Sequence, residues 1–155
     1  MQSTVNQFME KAFAGMKADI GLQDVFTRRA IESVPFGYGV VEGSEEGVSE
    51  LPTATGGNKF DGVTLHTHAI EEVSGVRQYL EHDAMSVMRK GRVWVHAETA
   101  ISIGDAVYCR HTESGTKKPG AFRNDSDSSK AFQITTARWL SETSSTDQLA
   151  LLQID

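Results

Sequence analysis

The side chains best placed to do chemistry are His66 and His68 in LHTHA. Spaced two apart on a strand, both imidazoles project to the same face and could ligate one metal ion. Two ligands do not complete a site, and a third would have to come from His82, His96, His111 or a carboxylate far away in sequence. His66 and His68 are therefore read as polar surface or locally hydrogen-bonded groups, and no metal is assigned to them. Asp125, Asp127 and Ser129 in RNDSDSSK look like the opening of a calcium loop, in which alternate oxygens converge on a hard cation. The loop fails where it must turn, at Lys130, and where it needs a bidentate glutamate, at Thr136. A solvated turn is expected instead.

Other chemistries find less. Cys109 lies inside the alternating run DAVYCRH, without the helix N-terminus or neighbouring base that would lower its pKa, and reads as a packing residue. No GxSxG elbow is present, and the Gly56-Gly57 pair belongs to no phosphate-binding arrangement. Glu42, Glu45, Glu46 and Glu50 supply carboxylates from a loop, a poor mount for a fixed acid and base. No catalytic, cofactor-binding or metal-binding residue is assigned, no cofactor is expected, and the chain is read as not an enzyme. Trp94 and Trp139 sit in alternating runs, where core packing is favoured over an interface role.

These residues need elements to hold them. With 155 residues, 39% hydrophobic and 23% charged, one globular domain is expected. Residues 1–35 are read as an extended or partly helical arm, with an apolar stripe of Val5, Phe8, Met9, Ala12, Phe13 and Met16 at helical spacing. Ser3 or Thr4 could cap it, while Gly15 and Gly21 weaken it. Residues 36–155 form the β-rich domain, in which short runs separated by turn residues point to a sandwich or barrel. The expected strands cover 38–42, 63–69, 84–88, 92–97, 106–111, 131–135 and 148–154. Lys90-Gly91 is expected to turn a hairpin and Gly104-Asp105 to launch the next strand, giving a three-strand meander. Val93, Val95, Val107, Ile134, Leu149 and Leu151 are expected to point inward. Long stretches at 42–62 and 112–130 read as surface loops and candidate contact surfaces.

Charge and hydropathy narrow the partners. The net charge of −6, from 15 Lys and Arg against 21 Asp and Glu, argues against direct binding of nucleic acid. No apolar run nears the ~20 residues of a membrane span, so no membrane partner is expected. The N-terminus has no secretory signature, which implies synthesis in the cytoplasm.

Taken in order, the KGRVWV segment, the GDAVY turn and strand, the Gly120–Asp127 segment GAFRNDSD, ARWL at Ala137–Leu140 and the closing LALLQI resemble the cement or decoration proteins of tailed bacteriophage capsids. The resemblance covers residues 37–155, and PFGYGV at Pro35–Val40 fits it more loosely. It implies a mainly β, single-domain, sandwich- or barrel-like fold of β-tulip type, and a virion protein on the capsid exterior, made in the host cytoplasm. It also implies binding to the major capsid protein and self-association at local threefold or twofold positions, a trimer favoured and a dimer possible. It carries no catalytic residue. Two alternatives stay open: another small phage structural protein, such as a head-completion or tail component, or a metal-dependent β-barrel enzyme built on His66 and His68.

Overall fold

The computed structural model describes residues 12–54, 57–70, 75 and 77–155. Val5, Phe8, Met9 and the capping Ser3 or Thr4 lie outside the described residues. Among those described there is no helix, and the chain is mainly β. In order the strands are β1 (Asp24–Ala30), β2 (Val34–Pro35), β3 (Gly39–Glu42), β4 (Val48–Glu50), β5 (Phe60–Thr64) and β6 (Gln78–Tyr79). There follow β7 (Ala84–Ala97), β8 (Tyr108–Arg110), β9 (Phe122–Arg123), β10 (Ala131–Gln133), β11 (Ala137–Trp139) and β12 (Gln148–Ile154).

β7 organises the fold. Its first half pairs with β1 and β5, and the order β1-β4-β3-β5-β7 closes on itself through the β1–β7 pairing. The result is a small barrel, with β1 and β4 parallel at Arg29 and Val48. Its second half pairs with β12 on one side and, in parallel at Ala97 and Phe122, with β9 on the other. β9 continues to β8 and β10, and β12 to β11, so an open sheet grows from the end of the barrel. One apolar cluster gathers Ala30, Val34, Phe36, Val40, Tyr79, Met85 and Val87. A larger one includes Val93, Val95, Cys109, Phe122, Ile134, Trp139, Leu152 and Ile154.

The hairpin expected at Lys90-Gly91 does not form. The strand nevertheless runs through it: buried positions alternate at Met85 and Val87 and again at Gly91, Val93, Val95 and Ala97, with Met88 buried, Arg89 exposed and a register slip against β1 between the two stretches. Each half also finds a partner elsewhere: β1 opposite Ala84–Lys90 and β12 opposite Gly91–Ala97. Gly91 is a bend within the strand, with φ of 131°. A Cβ there would sit 3.0 Å from Met88 Sδ. Without the hairpin there is no meander, since β8 pairs with β9 and β10. The turn at Gly104-Asp105 does form, Asp105 donating its N–H to the Ser102 carbonyl and accepting the Ser102 N–H on Oδ2.

Four of the expected inward residues, Val93, Val95, Val107 and Ile134, are buried. On β12 the parity is the reverse of that expected: Ala150, Leu152 and Ile154 are inside, while Leu149 and Leu151 lie opposite His96 and Trp94 on the outer face. Each loop expected at 42–62 and 112–130 contains a strand, β4 and β9.

Of the stretch ascribed to the arm, residues 24–30 form β1 of the barrel and residues 34–35 pair with β6 in a separate two-stranded sheet. β1 and β2 belong to the sheets, and before them Gly15 and Ala18 donate N–H groups to the Trp94 and Arg92 carbonyls while Met16 accepts from Trp94.

Candidate functional site

Arg110 is fully buried, and its guanidinium meets Glu98 in a two-pronged pair, Nε to Oε1 at 2.7 Å and Nη2 to Oε2 at 2.9 Å. The same Nη2 donates to Asp127 Oδ2 at 2.6 Å, and Nη1 donates to the Thr112 carbonyl. Arg123, also buried, donates from Nη1 to Glu98 Oε2 at 2.9 Å and from Nε to Asp125 Oδ1 at 2.8 Å. Two cations and three carboxylates thus fasten the 112–130 segment to the end of β7. Charged groups taken out of water survive when paired and hydrogen-bonded in this way. The hydrogen bond from Arg110, first, and the nearby Arg123 charge hold Asp127 below the usual carboxylate pKa.

This geometry decides the calcium question. Asp125 and Asp127 face guanidinium groups, which would repel an incoming cation and already engage Asp125 Oδ1 and Asp127 Oδ2. The backbone turns through three residues with positive φ, Asp127, Ser128 and Ser129. Asp tolerates this conformation better than most residues, and Asp127 N–H is tied to Asp125 Oδ1 at 3.0 Å.

A second ionic knot closes the barrel. Asp61, buried, accepts from Arg28 Nε at 2.9 Å, Arg89 Nη2 at 2.5 Å and Ser49 Oγ at 2.5 Å. Burial alone would raise the Asp61 pKa, but these hydrogen bonds overcome it and hold the carboxyl below its ordinary value. Both guanidiniums lie over the Phe26 ring, at 4.5 and 4.1 Å from its centre.

His66 and His68 do come together, ring centres 4.7 Å apart. They lie beyond the end of β5, and the His66 ring is enclosed by Phe13 and Phe36, with Arg77 Nη1 at 3.4 Å from its Nε2. His66 N–H donates to the Gly15 carbonyl at 2.8 Å, so this histidine fastens the N-terminal segment to the barrel. Burial, then the charges of His68 and Arg77, push its pKa down. Among the described residues no group of three or more metal-ligating side chains is assembled. Cys109 is buried, and burial first, then Glu98, pushes its thiol pKa up, as suits a packing residue. Trp139 is core, its Nε1–H directed at the Ala106 carbonyl, whereas Trp94 is half-buried on the outer face.

A cleft of about 380 Å³ between Tyr38, His96, Lys117, Lys118 and Asp147 has Glu98 in its wall. Both Glu98 oxygens are already engaged by arginines, so it offers no free acid there. The unusual surface feature is apolar: Ile20 and Leu22 are each 98% exposed, and Ile103 is 66% exposed.

A family model described as structural cement protein, with E217 gp24 and Pam3 gp6 as its named examples, matches residues 1–155. The chain belongs to the structural cement protein family. That family is one of phage structural proteins, which makes this chain a virion component associated with capsid proteins. The cement fold here superposes on a chain of the capsid of Myoviridae phage XM1 with a TM-score of 0.78 and 17% identity, covering 100% of this chain and 97% of that one. The head fibre gp8.5 N base of bacteriophage phi29 is more distant, with a TM-score of 0.45 and 18% identity over 86% of this chain and 95% of that one. No curated protein matches.

Sequence reading missed Arg110 and Arg123. The available signal was two aspartates two residues apart in a turn, which need cations once the turn is packed.

Proposed function

We propose that this cement protein binds the major capsid protein on the outside of the capsid and reinforces the shell, without enzymatic activity and without contacting DNA or a membrane. The observation that carries the reading is the match of the cement family model to residues 1–155. The geometry suits the task. Two buried ionic knots, around Glu98 and Asp61, tie neighbouring strands together, and apolar side chains stand exposed on the surface. Many copies on one lattice sum weak contacts, so modest affinity per copy suffices. The chain acts as a homo-oligomer at a local symmetry axis, a trimer ahead of a dimer, with the segment ahead of β1 adding interface.

Reconstitution tests this. Capsids from which the protein has been removed should bind the purified chain to saturation and then release DNA at a higher temperature than undecorated capsids. Failure to co-sediment with such capsids, or binding with no gain in heat resistance, would refute the proposal.

A further inference from the structure

The N-terminal segment and β1 follow the same side of β7, but not continuously. Lys17 is bridged to Val93 and Asp24 to Lys90, so seven steps of one strand face three of the other. The surplus is thrown outward as the loop Asp19–Gln23, beside the bend at Gly91. The loop is held in shape: Arg92 Nη1 donates to Asp19 Oδ2 at 2.8 Å, and Gly21 N–H donates to Asp19 Oδ1 at 3.0 Å. What it presents is Ile20 and Leu22, both 98% exposed, while the flanking Ala18 is pinned by its hydrogen bond to Arg92.

The fold gains nothing from exposing these two side chains. Two aliphatic side chains in water contribute no burial, and a shorter connection would follow β7 without exposing them. We infer that the Asp19–Gln23 loop is a contact knob whose Ile20 and Leu22 insert into an apolar socket of the major capsid protein lattice. This inference rests on the proposed capsid binding and names the surface that performs it.

The size of the knob selects the occupant. Two aliphatic side chains offer on the order of 200 Å², far from the roughly 800 Å² per partner of a stable pairwise interface. A second copy of this chain would not be held by so small a patch. A lattice that repeats the contact at every copy would be, because the contacts add. The rim suits insertion as well, since Asp19, Lys90, Arg92 and Asp155 beside the knob are of mixed sign and exclude no particular neighbour by net charge.

The test uses the full chain with I20S/L22S and, as a conservative control, I20V/L22M, on capsids from which the native protein has been removed. Because both side chains are exposed, I20S/L22S should melt with the wild type, while its half-saturating concentration on capsids rises at least tenfold and I20V/L22M stays within twofold. If the wild type itself does not bind, the proposed function fails, and with it this inference. If the wild type binds and I20S/L22S binds as tightly, the knob is not the contact. If I20S/L22S falls to a smaller oligomer by light scattering while keeping its capsid affinity, the occupant is a second copy and the inference is overturned. Should I20S/L22S melt early, the substitution L22D alone is measured against the same tenfold criterion.

Discussion

Glu98 receives both Arg110, in a two-pronged pair at 2.7 and 2.9 Å, and Arg123 at 2.9 Å, with all three side chains nearly out of solvent. Removing the carboxylate leaves two buried cations uncompensated. Glu98→Ala should therefore cost about 3 to 5 kcal/mol, read as a lower urea midpoint in equilibrium unfolding. A cost below about 1 kcal/mol, the range of exposed pairs, would show that Glu98 does not hold the 112–130 segment in place.

The Asp61 knot predicts a direction with acid. Its carboxyl is held below the ordinary value, so its contribution is complete above the unfolded pKa of about 3.9 and is lost as pH falls through the lower folded value. Asp127 has the same sign. Thermal midpoints should lose these contributions only below about pH 4, and Asp61→Asn should lower the midpoint at pH 7 and flatten the acid limb. An acid limb unchanged in Asp61→Asn would contradict the assignment.

His66 has a different window. Its pKa is lowered where the N-terminal segment docks, so docking is at full strength above about 6.5, the unfolded value, and weakens as pH falls from there toward the lowered folded value. The titratable groups around the ring are His68, Arg77 and, past Phe36, the Tyr79 phenol, whose proton is given to the Leu65 carbonyl. After correction for intrinsic chemistry, the Gly15 and Ala18 amides should exchange faster at pH 5.5 than at pH 7.5, and His66→Gln should remove the difference. Equal protection at both pH values in the wild type would show that protonating the imidazole does not loosen the segment held by the His66 backbone amide.

Gly15 is a sharper probe of the same fastening. Its φ is 81°, and a Cβ would lie 2.7 Å from His66 N and 2.9 Å from Gly37 N. Gly15→Ala should unpin the segment and speed exchange at Ala18 while leaving β12 amides protected. Unchanged exchange at Ala18 would show that the backbone there has room.

The fold class was legible because alternation and turn residues are local signals, and β12 was delimited at 148–154 for that reason. Its facing was not, since LALLQI carries apolar side chains on both parities and Trp94 and His96 opposite it supply an outer surface that Leu149 and Leu151 can share. The hairpin expectation failed because a Lys-Gly pair between alternating runs serves equally as a bend, and only the distant β1 and β12 decide between them. Barrel closure through the parallel β1–β4 pair is likewise non-local. Ile20 and Leu22 had no periodicity to mark them, and their exposure follows from a register surplus visible only once β7 is seen to carry both segments.

The central claim is that this chain coats a capsid, and electron cryomicroscopy of the intact particle tests it most directly. The β7-centred barrel and its open sheet should fit density repeated as a regular lattice on the outer face of the major capsid shell, at every equivalent local symmetry position, with the Asp19–Gln23 loop against the shell. Density for this fold confined to a single ring at one vertex, or found only in the tail, would contradict it.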